Sequence, residues 1–417
     1  MYTLPSASAE RLRGWLETIN TYNDTPEFGT TRVLFTPTEV AARAYVKREM
    51  EVVGLAVHED AIGNIFGVLE GTEPALAPVW TGSHIDTVLN AGMFDGMAGV
   101  VAGMEAARLI RASGIAHRRS LCVIVFTSEE PTRFGLCCLG SRTMAGHMTE
   151  EDTKALRDQD GKTLHEVLRE LGYHPAELQQ IVRRKGDVYA SVELHIEQSA
   201  SLERSGKSVG IVRGICAPTC FNVTVTGEQS HAGGTSMADR MDAFTAASEI
   251  SLLLEELGRT AHESEYTTAT VGHVEVIPNA SNAIPGKVKF SIDIRDCSLA
   301  SKDSLIEKLK AGIRAIELKR GVRIELELQN HDTPIMCDSN IVSTIAQSCE
   351  ALEIDPLPTI SGAYHDSLFV GEFAPIGMIF VPSKNGISHS PEEWTEYSDI
   401  ARGTDVLAQT LLTLANQ

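Results

Sequence analysis

Leu121-Cys122-Val123-Ile124-Val125-Phe126 runs directly into Thr127-Ser128-Glu129-Glu130. An unbroken apolar run containing three consecutive β-branched residues predicts a strand buried on both faces, as in a parallel sheet covered by helices. The run then ends in two adjacent carboxylates. Open α/β sheets present their chemistry in this way, at the carboxyl ends of strands.

The same order recurs to either side. Upstream, a short strand over Pro78–Ser83 leads into Gly82-Ser83-His84-Ile85-Asp86-Thr87. Met93-Phe94-Asp95-Gly96 then precedes a helix, rich in alanine and glycine, from Met97 to Ala112. Downstream, a strand over Val188–His195 leads into Glu193-Leu194-His195-Ile196-Glu197-Gln198, and Ile387-Ser388-His389-Ser390 lies near the C-terminus. Asn64–Leu69 reads as a further strand. Thr36-Pro37-Thr38-Glu39 opens a helix to about Val53, with Thr36 as cap, Pro37 in the first turn and Glu39 completing a capping box.

The pattern changes near Val209. Phe221–Thr226 alternates, and a helix over Asp242–Leu257 follows. Strands Ala269–Ile277 and Lys287–Ile294, a helix over Ser304–Leu318 and a strand over Val322–Leu328 complete the block. Strands with two covering helices predict a small α+β domain with one exposed sheet edge. From His331 onward the α/β character returns. The expected organisation is a catalytic domain made of residues 1–212 and 331–417, with the domain 213–330 inserted.

A chain of 417 residues with 43% hydrophobic and 22% charged residues is an ordinary globular protein of two or three domains. Its net charge of -20 argues against nucleic acid and anionic membranes as partners. The apolar runs are too short for a membrane span. The opening MYTLPSASAERLRGWLE has no basic region followed by an apolar run, so no signal peptide is expected. Eight scattered cysteines without a CxxC pair read as reduced core residues of a cytoplasmic protein.

Imidazoles and carboxylates in the five segments suit zinc, manganese or cobalt. Two divalent ions about 3.5–4 Å apart need a carboxylate between them, and Asp95 in its glycine-flanked turn is the candidate bridge. Of Glu129 and Glu130, one would face a metal and the other would take the proton of a shared water. Asp86, two residues after His84, would orient that imidazole. Spacing alone leaves solvated loops as an open alternative to a metal site.

GSHIDT, FDG, FTSEEPTRFG, ELHIEQ, HAGGTSMADR, NAIPGKV, DIRD, AYHDS and SHSPEE occur in that order. With them the chain resembles the M20 metallopeptidase superfamily from about residue 10 onward. The resemblance is to the branch of carbamoylases, allantoate amidohydrolases and ureidoglycolate amidohydrolases. It implies an α/β mixed-sheet dinuclear metallohydrolase domain carrying an inserted α+β lid and dimerisation domain. It also implies two divalent ions per subunit (Mn, Zn or Co, with Mn favoured). One would be held by His84, Asp95 and His195, the other by Asp95, Glu130 and His389, with Glu129 as general acid/base. An imidazole at His195, where many peptidases of the superfamily carry a carboxylate, resembles the amidohydrolase branch. Gln198, His231, Asn279 and Arg295 would contact substrate, as would Gly362, Tyr364 and His365. Arg295 suits a bidentate carboxylate clamp, and His231 or Asn279 a developing oxyanion. The resemblance further implies a homodimer in which His231 reaches the partner subunit's site. It gives Cys137 and Cys138 no chemistry, so they read as packing.

FTSEEPTRFG, LGSR, AYHDSLF and GMIFVPSKNGISHSPEE are most similar to ureidoglycolate enzymes. Tyr364 stands where carbamoylases and allantoate enzymes tend to have glycine. Facing the pocket, it would favour a small substrate; turned away, it would pack in the core. Gly362 in SGA and the GGTSM after His231 resemble carbamoylases instead. The expected reaction is hydrolysis of the ureido C–N bond of a small ureido acid, with ureidoglycolate giving glyoxylate, ammonia and carbon dioxide. N-carbamoyl-L-amino acids and allantoate are the alternative substrates. A dipeptidase or deacylase of the same superfamily is a further alternative, against which His195 argues. A catalytically silent binding protein is the last, against which the complete ligand set argues.

Overall fold

The computed structural model describes residues 2–261, 264 and 266–417. The chain divides into two compact units. The first comprises the residues up to Arg213 together with Cys337–Thr359 and His365–Gln417; the second comprises Gly214–Met336 and Ile360–Tyr364.

The first unit is built on a mixed sheet. Leu121–Phe126, Val79–His84, Ala190–Ile196 and Ile376–Val381 lie side by side and parallel. All four are buried along their whole length, the burial that uninterrupted apolar runs demand. Antiparallel strands flank them: Ile65–Leu69 and then Ala56–Glu59 on one side, Gly210–Ile215 on the other. The helix Met97–Ser113 is buried from Met97 to Ala107 and packs on Val79–His84 and Ala190–Ile196. Its alanines and glycines allow that approach: a Cβ on Gly99 would stand 2.3 Å from the Leu194 carbonyl oxygen. The helix Tyr397–Ala415 joins the same core.

The helix Pro37–Val52 starts where its cap predicts. Thr36 accepts the Glu39 amide at 3.3 Å. The box closes one residue early, because the Glu39 carboxylate accepts the Phe35 amide at 3.0 Å instead of that of Thr36.

The second unit has a four-stranded antiparallel sheet in the order Arg323–His331, Ala217–Thr226, Lys287–Asp296, Thr267–Ile277. The helices Ala243–Arg259 and Leu299–Arg320 cover one face, over Phe221, Val223, Val225, Ile292 and Ile294. The sheet has two edge strands rather than the one expected. The second helix begins at Leu299, five residues before the expected start, because Ser298 caps it through the Ser301 amide. The unit also extends past residue 330: Ile335 and Met336 pair with Ile215 and Gly214. The segment Ile360–Tyr364 joins it, with the Ser361 carbonyl accepting the Cys216 amide at 2.8 Å and the Gly362 carbonyl accepting from Arg295 at 3.1 Å. Among the described residues no helix is long and apolar enough to cross a membrane.

Candidate metal centre

The ligand-type residues of the first unit converge at the carboxyl ends of its parallel strands. His84 closes Val79–His84, Glu129 and Glu130 follow Leu121–Phe126, and His195 lies in Ala190–Ile196. His389 comes from the loop after Ile376–Val381. Asp95 sits before the helix at Met97. Gly96 makes that turn possible: its φ is +70°, and a Cβ there would meet the His84 ring at 2.5 Å.

Asp95 is the centre of the cluster. Its Oδ1 lies 3.1 Å from His195 Nε2 and 3.8 Å from His84 Nε2; its Oδ2 lies 3.1 Å from His389 Nε2. Glu130 Oε1 lies 3.4 Å from the same His389 nitrogen. Two groups of three ligand atoms therefore share Asp95: His84, Asp95 and His195, and Asp95, Glu130 and His389. All but His389 are buried.

The ring orientations are informative. His84 Nδ1 lies 3.0 Å from the Asp86 carbonyl oxygen and His195 Nδ1 2.9 Å from the Ile196 carbonyl oxygen. A carbonyl only accepts, so each Nδ1 carries a proton and each Nε2 faces the Asp95 carboxylate. At 3.1 Å, His195 Nε2 and Asp95 Oδ1 attract each other when a proton sits on Nε2 or a cation lies between them. The donor set fits a divalent metal.

Electrostatics without a cation shows the same attraction. Burial would lift Asp95, but hydrogen bonds with His195 and His389 outweigh it and hold its carboxyl well below the usual range. Burial would lower His195, yet Asp95 brings it up to about 9; His389, bonded to Asp95, also rises to about 9. His84, buried with no such direct bond, falls to about 4. Burial and then the neighbouring Glu130 push Glu129 well above the usual carboxylate range, while burial and Asp95 bring Glu130 to about 8.

Several side chains take parts other than those expected. Asp86 meets His84 Nδ1 with its backbone carbonyl at 3.0 Å, and its carboxylate Oδ1 lies 3.7 Å from the same nitrogen. The carboxylate accepts the amides of Glu129 at 3.2 Å and Glu130 at 3.0 Å, fixing the turn that carries both acids. Ser128 at φ +56° and those two bonds separate the directions of the glutamates. Gln198 turns back at φ +57° and donates from Nε2 to Asp95 Oδ2 at 2.8 Å, so the amide sits on the carboxylate common to both groups. His365 is buried; its ring stands edge-on to that of His195 with centroids 4.6 Å apart, and with Glu193 and His195 it forms a third group of ligand-type atoms.

Other groups are not legible as site residues in the sequence. Glu393 Oε1 accepts the amides of Phe94 at 3.0 Å and Asp95 at 3.1 Å, and its Oε2 accepts the Ser388 hydroxyl at 2.8 Å. The same Ser388 oxygen lies 3.2 Å from Asp95 Oδ2, so its one proton is shared between the two carboxylates. Glu193, under His195, accepts the hydroxyls of Ser83 at 2.8 Å and Ser367 at 2.5 Å. Buried Arg32 donates to the Ile85 carbonyl at 2.6 Å and holds the loop after His84. The repeated glutamate in SHSPEE and the polar position inside an apolar strand at Glu193 are the signals that could have found two of them.

The remaining expected site residues lie in the second unit. His231 is exposed, and its Nδ1 accepts the amides of Gly233 and Gly234, each at 3.0 Å. Asn279 is exposed at φ +56°. Arg295 already holds a carboxylate: its Nε and Nη2 donate to the two oxygens of Asp293 at 3.0 and 3.1 Å. The Tyr364 hydroxyl donates to Asp332, within the same unit. Gly362 lies under Tyr266, whose hydroxyl a Cβ would meet at 2.2 Å. Cys138 is fully buried, with Sγ 3.9 Å from Glu129 Oε1, as packing requires.

Residues 80–413 match peptidase family M20/M25/M40. The chain belongs to that family. Within it, the chain is 41% identical to a ureidoglycolate hydrolase of Arabidopsis thaliana, over 98% of this chain and 87% of that protein. It is 38% identical to an N-carbamoyl-L-amino-acid amidohydrolase of Pseudomonas sp. (strain NS671), over 97% and 98%. The crystal structure of AtUAH in complex with glyoxylate is 40% identical, covers 99% of each chain and superposes with a TM-score of 0.86. This member of the family is a hydrolase of amide C–N bonds.

Proposed function

We propose that the protein is a dinuclear amidohydrolase that cleaves the ureido C–N bond of a small ureido acid, ureidoglycolate first among them. The observation that carries the dinuclear reading is the division of Asp95, one oxygen toward His84 and His195 and the other toward His389 beside Glu130. When bound, two divalent ions, with manganese favoured over zinc and cobalt, would supply Lewis-acid polarisation and a nucleophile at neutral pH.

The chain's own residues account for the rest. Glu129 is the general acid/base: buried beside His84, with Oε2 3.9 Å from Nε2, it takes a proton at its carboxylate and returns it to the leaving nitrogen. Its raised proton affinity suits both transfers. In the second unit, His231 keeps its proton on Nε2, because Nδ1 accepts from two glycine amides, and donates to the oxyanion with Asn279. We further propose that the enzyme is a homodimer and that exposed His231 acts at the partner subunit's site. Arg295 binds the substrate's carboxylate. The Nη1 edge on the Gly362 carbonyl and the Nε edge on Asp293 set the plane of the guanidinium, so the substrate carboxylate must displace Asp293 or share the guanidinium with it.

Ureidoglycolate rests on the ureidoglycolate hydrolase relative and on the AtUAH–glyoxylate likeness. One observation favours an N-carbamoyl-L-amino acid as the second reading. The Tyr364 hydroxyl is bonded to Asp332, which withdraws the argument that this side chain shortens the pocket. The deciding experiment is manganese reconstitution followed by a substrate panel of ureidoglycolate, allantoate, ureidopropionate, N-carbamoyl-L-amino acids and dipeptides. Two metal equivalents and highest kcat/KM on ureidoglycolate are expected. Preference for a bulky N-carbamoyl amino acid would install the second reading, and turnover of dipeptides alone would sink both.

A further inference from the structure

The second unit holds a pair of cysteines that the reaction does not use. In the antiparallel ladder between Ala217–Thr226 and Lys287–Asp296, Ala217 faces Asp296. Continuing that register one step places Cys216 opposite Cys297. The Cys216 amide donates away from this pair, to Ser361 O at 2.8 Å, and the Cys297 amide donates away on the other side, to Tyr266 O at 3.4 Å. Opposed residues whose amides both point outward form a non-hydrogen-bonded pair, the position where antiparallel strands bring side chains closest, with Cα atoms about 4.5 Å apart. That lies within the span of about 4.4–6.8 Å that a disulfide bridges. Cys297 Sγ lies 3.2 Å from Ser264 Oγ. Cys216 is 1% exposed, whereas Cys297 is half-buried.

We propose that Cys216 and Cys297 are a reversible dithiol–disulfide site, oxidised by low-molecular-weight disulfides such as oxidised glutathione, and that the bond fits the two strands without distorting them. The Cys297 thiolate, the accessible member, attacks one sulfur of oxidised glutathione, forming a mixed disulfide and releasing one glutathione thiolate. Cys216 then loses its proton and attacks Cys297 Sγ, forming the Cys216–Cys297 bond and expelling the second glutathione. Two protein thiols lose two electrons and two protons, and one oxidised glutathione gains them as two thiols. Burial pushes the Cys216 thiol up, so the second step sets the rate. The closed loop contains the helix Ala243–Arg259 and the strand Thr267–Ile277. Cross-linking so long a loop restricts the unfolded chain.

The site is tested on the whole protein. It is incubated with graded oxidised glutathione, alkylated in denaturant and mapped as peptides without reduction. The expected product is a peptide linking Cys216 to Cys297, formed before any other cysteine pair and removed by dithiothreitol. Thermal unfolding should shift upward on oxidation and return on reduction. Cys216→Ser should stop the second step and leave glutathione attached at Cys297. The proposal is overturned if both cysteines remain alkylated while other cysteines are oxidised. It also falls if unrelated pairs form as readily, or if the linked protein unfolds at a lower temperature. The wild-type peptide map needs no variant, so it decides the matter even if the Cys216→Ser protein misfolds.

Discussion

The two units carry their candidate functional residues in opposite ways. In the first, His84, Asp95, Glu130 and His195 are buried at strand ends and held by amides, carbonyls and hydroxyls. In the second, His231 and Asn279 are exposed, and Arg295 is one-third exposed and bonded to its neighbours. Buried polar groups are costly without partners, so the first arrangement is over-determined. The second is more open: His231 accepts two glycine amides, and Arg295 bonds to Asp293 and the Gly362 carbonyl. In the proposed function, chemistry falls to the buried set and recognition to the open one.

The largest expected effect breaks the buried set at its reacting group. Glu129→Gln should lower kcat about 10²–10⁴-fold. Metal content, measured by elemental analysis, should be unchanged, since the ligands are other residues. Near-normal turnover would remove Glu129 from the mechanism. Arg295→Ala should raise KM for ureido acids about 10–100-fold with kcat nearly unaltered, because a lost charged hydrogen bond is binding shared by ground and transition states. An unchanged KM would mean that Asp293 is the sole anion this guanidinium serves.

A gentler perturbation removes the metal. Glu130 at about 8 and His195 and His389 at about 9 all bind protons more tightly in the folded protein than in the unfolded chain. The folded state therefore holds more protons, and stability falls as pH rises through these values. His84 at about 4 acts oppositely, but only below its unfolded value near 6.5. The chelated protein should show a falling thermal midpoint between about pH 7 and 9, and manganese should flatten that profile. A midpoint that rises over this range would contradict the cluster's charge balance. The smallest effect is expected from Tyr364→Phe. With the hydroxyl engaged by Asp332, KM for ureidoglycolate should change less than about threefold, below the value of one hydrogen bond to substrate. A larger rise would restore Tyr364 to the pocket wall.

The same contrast explains what is legible in the sequence. Strand-ending ligands are visible because burial imposes apolar runs, and the run Leu121–Phe126 leads to Glu129 and Glu130 from composition alone. The inserted unit is visible in the return to alternating strands after Val209. What stays hidden depends on contacts between distant positions. Proximity in sequence pairs Asp86 with the ring of His84, yet its carboxylate reaches two amides more than forty residues away. Gln198 is expected at the substrate, and the sequence does not show that a left-handed backbone also brings its Nε2 to Asp95. Ile360–Tyr364 is expected to stay with its sequence neighbours, although Ser361 and Gly362 bond across to Cys216 and Arg295. Periodicity carries no information about such pairings.

Glu393 has a consequence for biosynthesis. It clamps the amides of Phe94 and Asp95 across almost three hundred residues, and Ser388 and His389 arrive with it. A nascent chain that has emerged only through Ile196 already holds His84, Asp95, Glu130 and His195, but leaves the bridging acid unclamped. In the proposed dinuclear site, loading of the ions would wait for nearly the whole polypeptide to leave the ribosome, and a stop codon before Ser388 would yield a chain that lacks His389 and the Glu393 clamp.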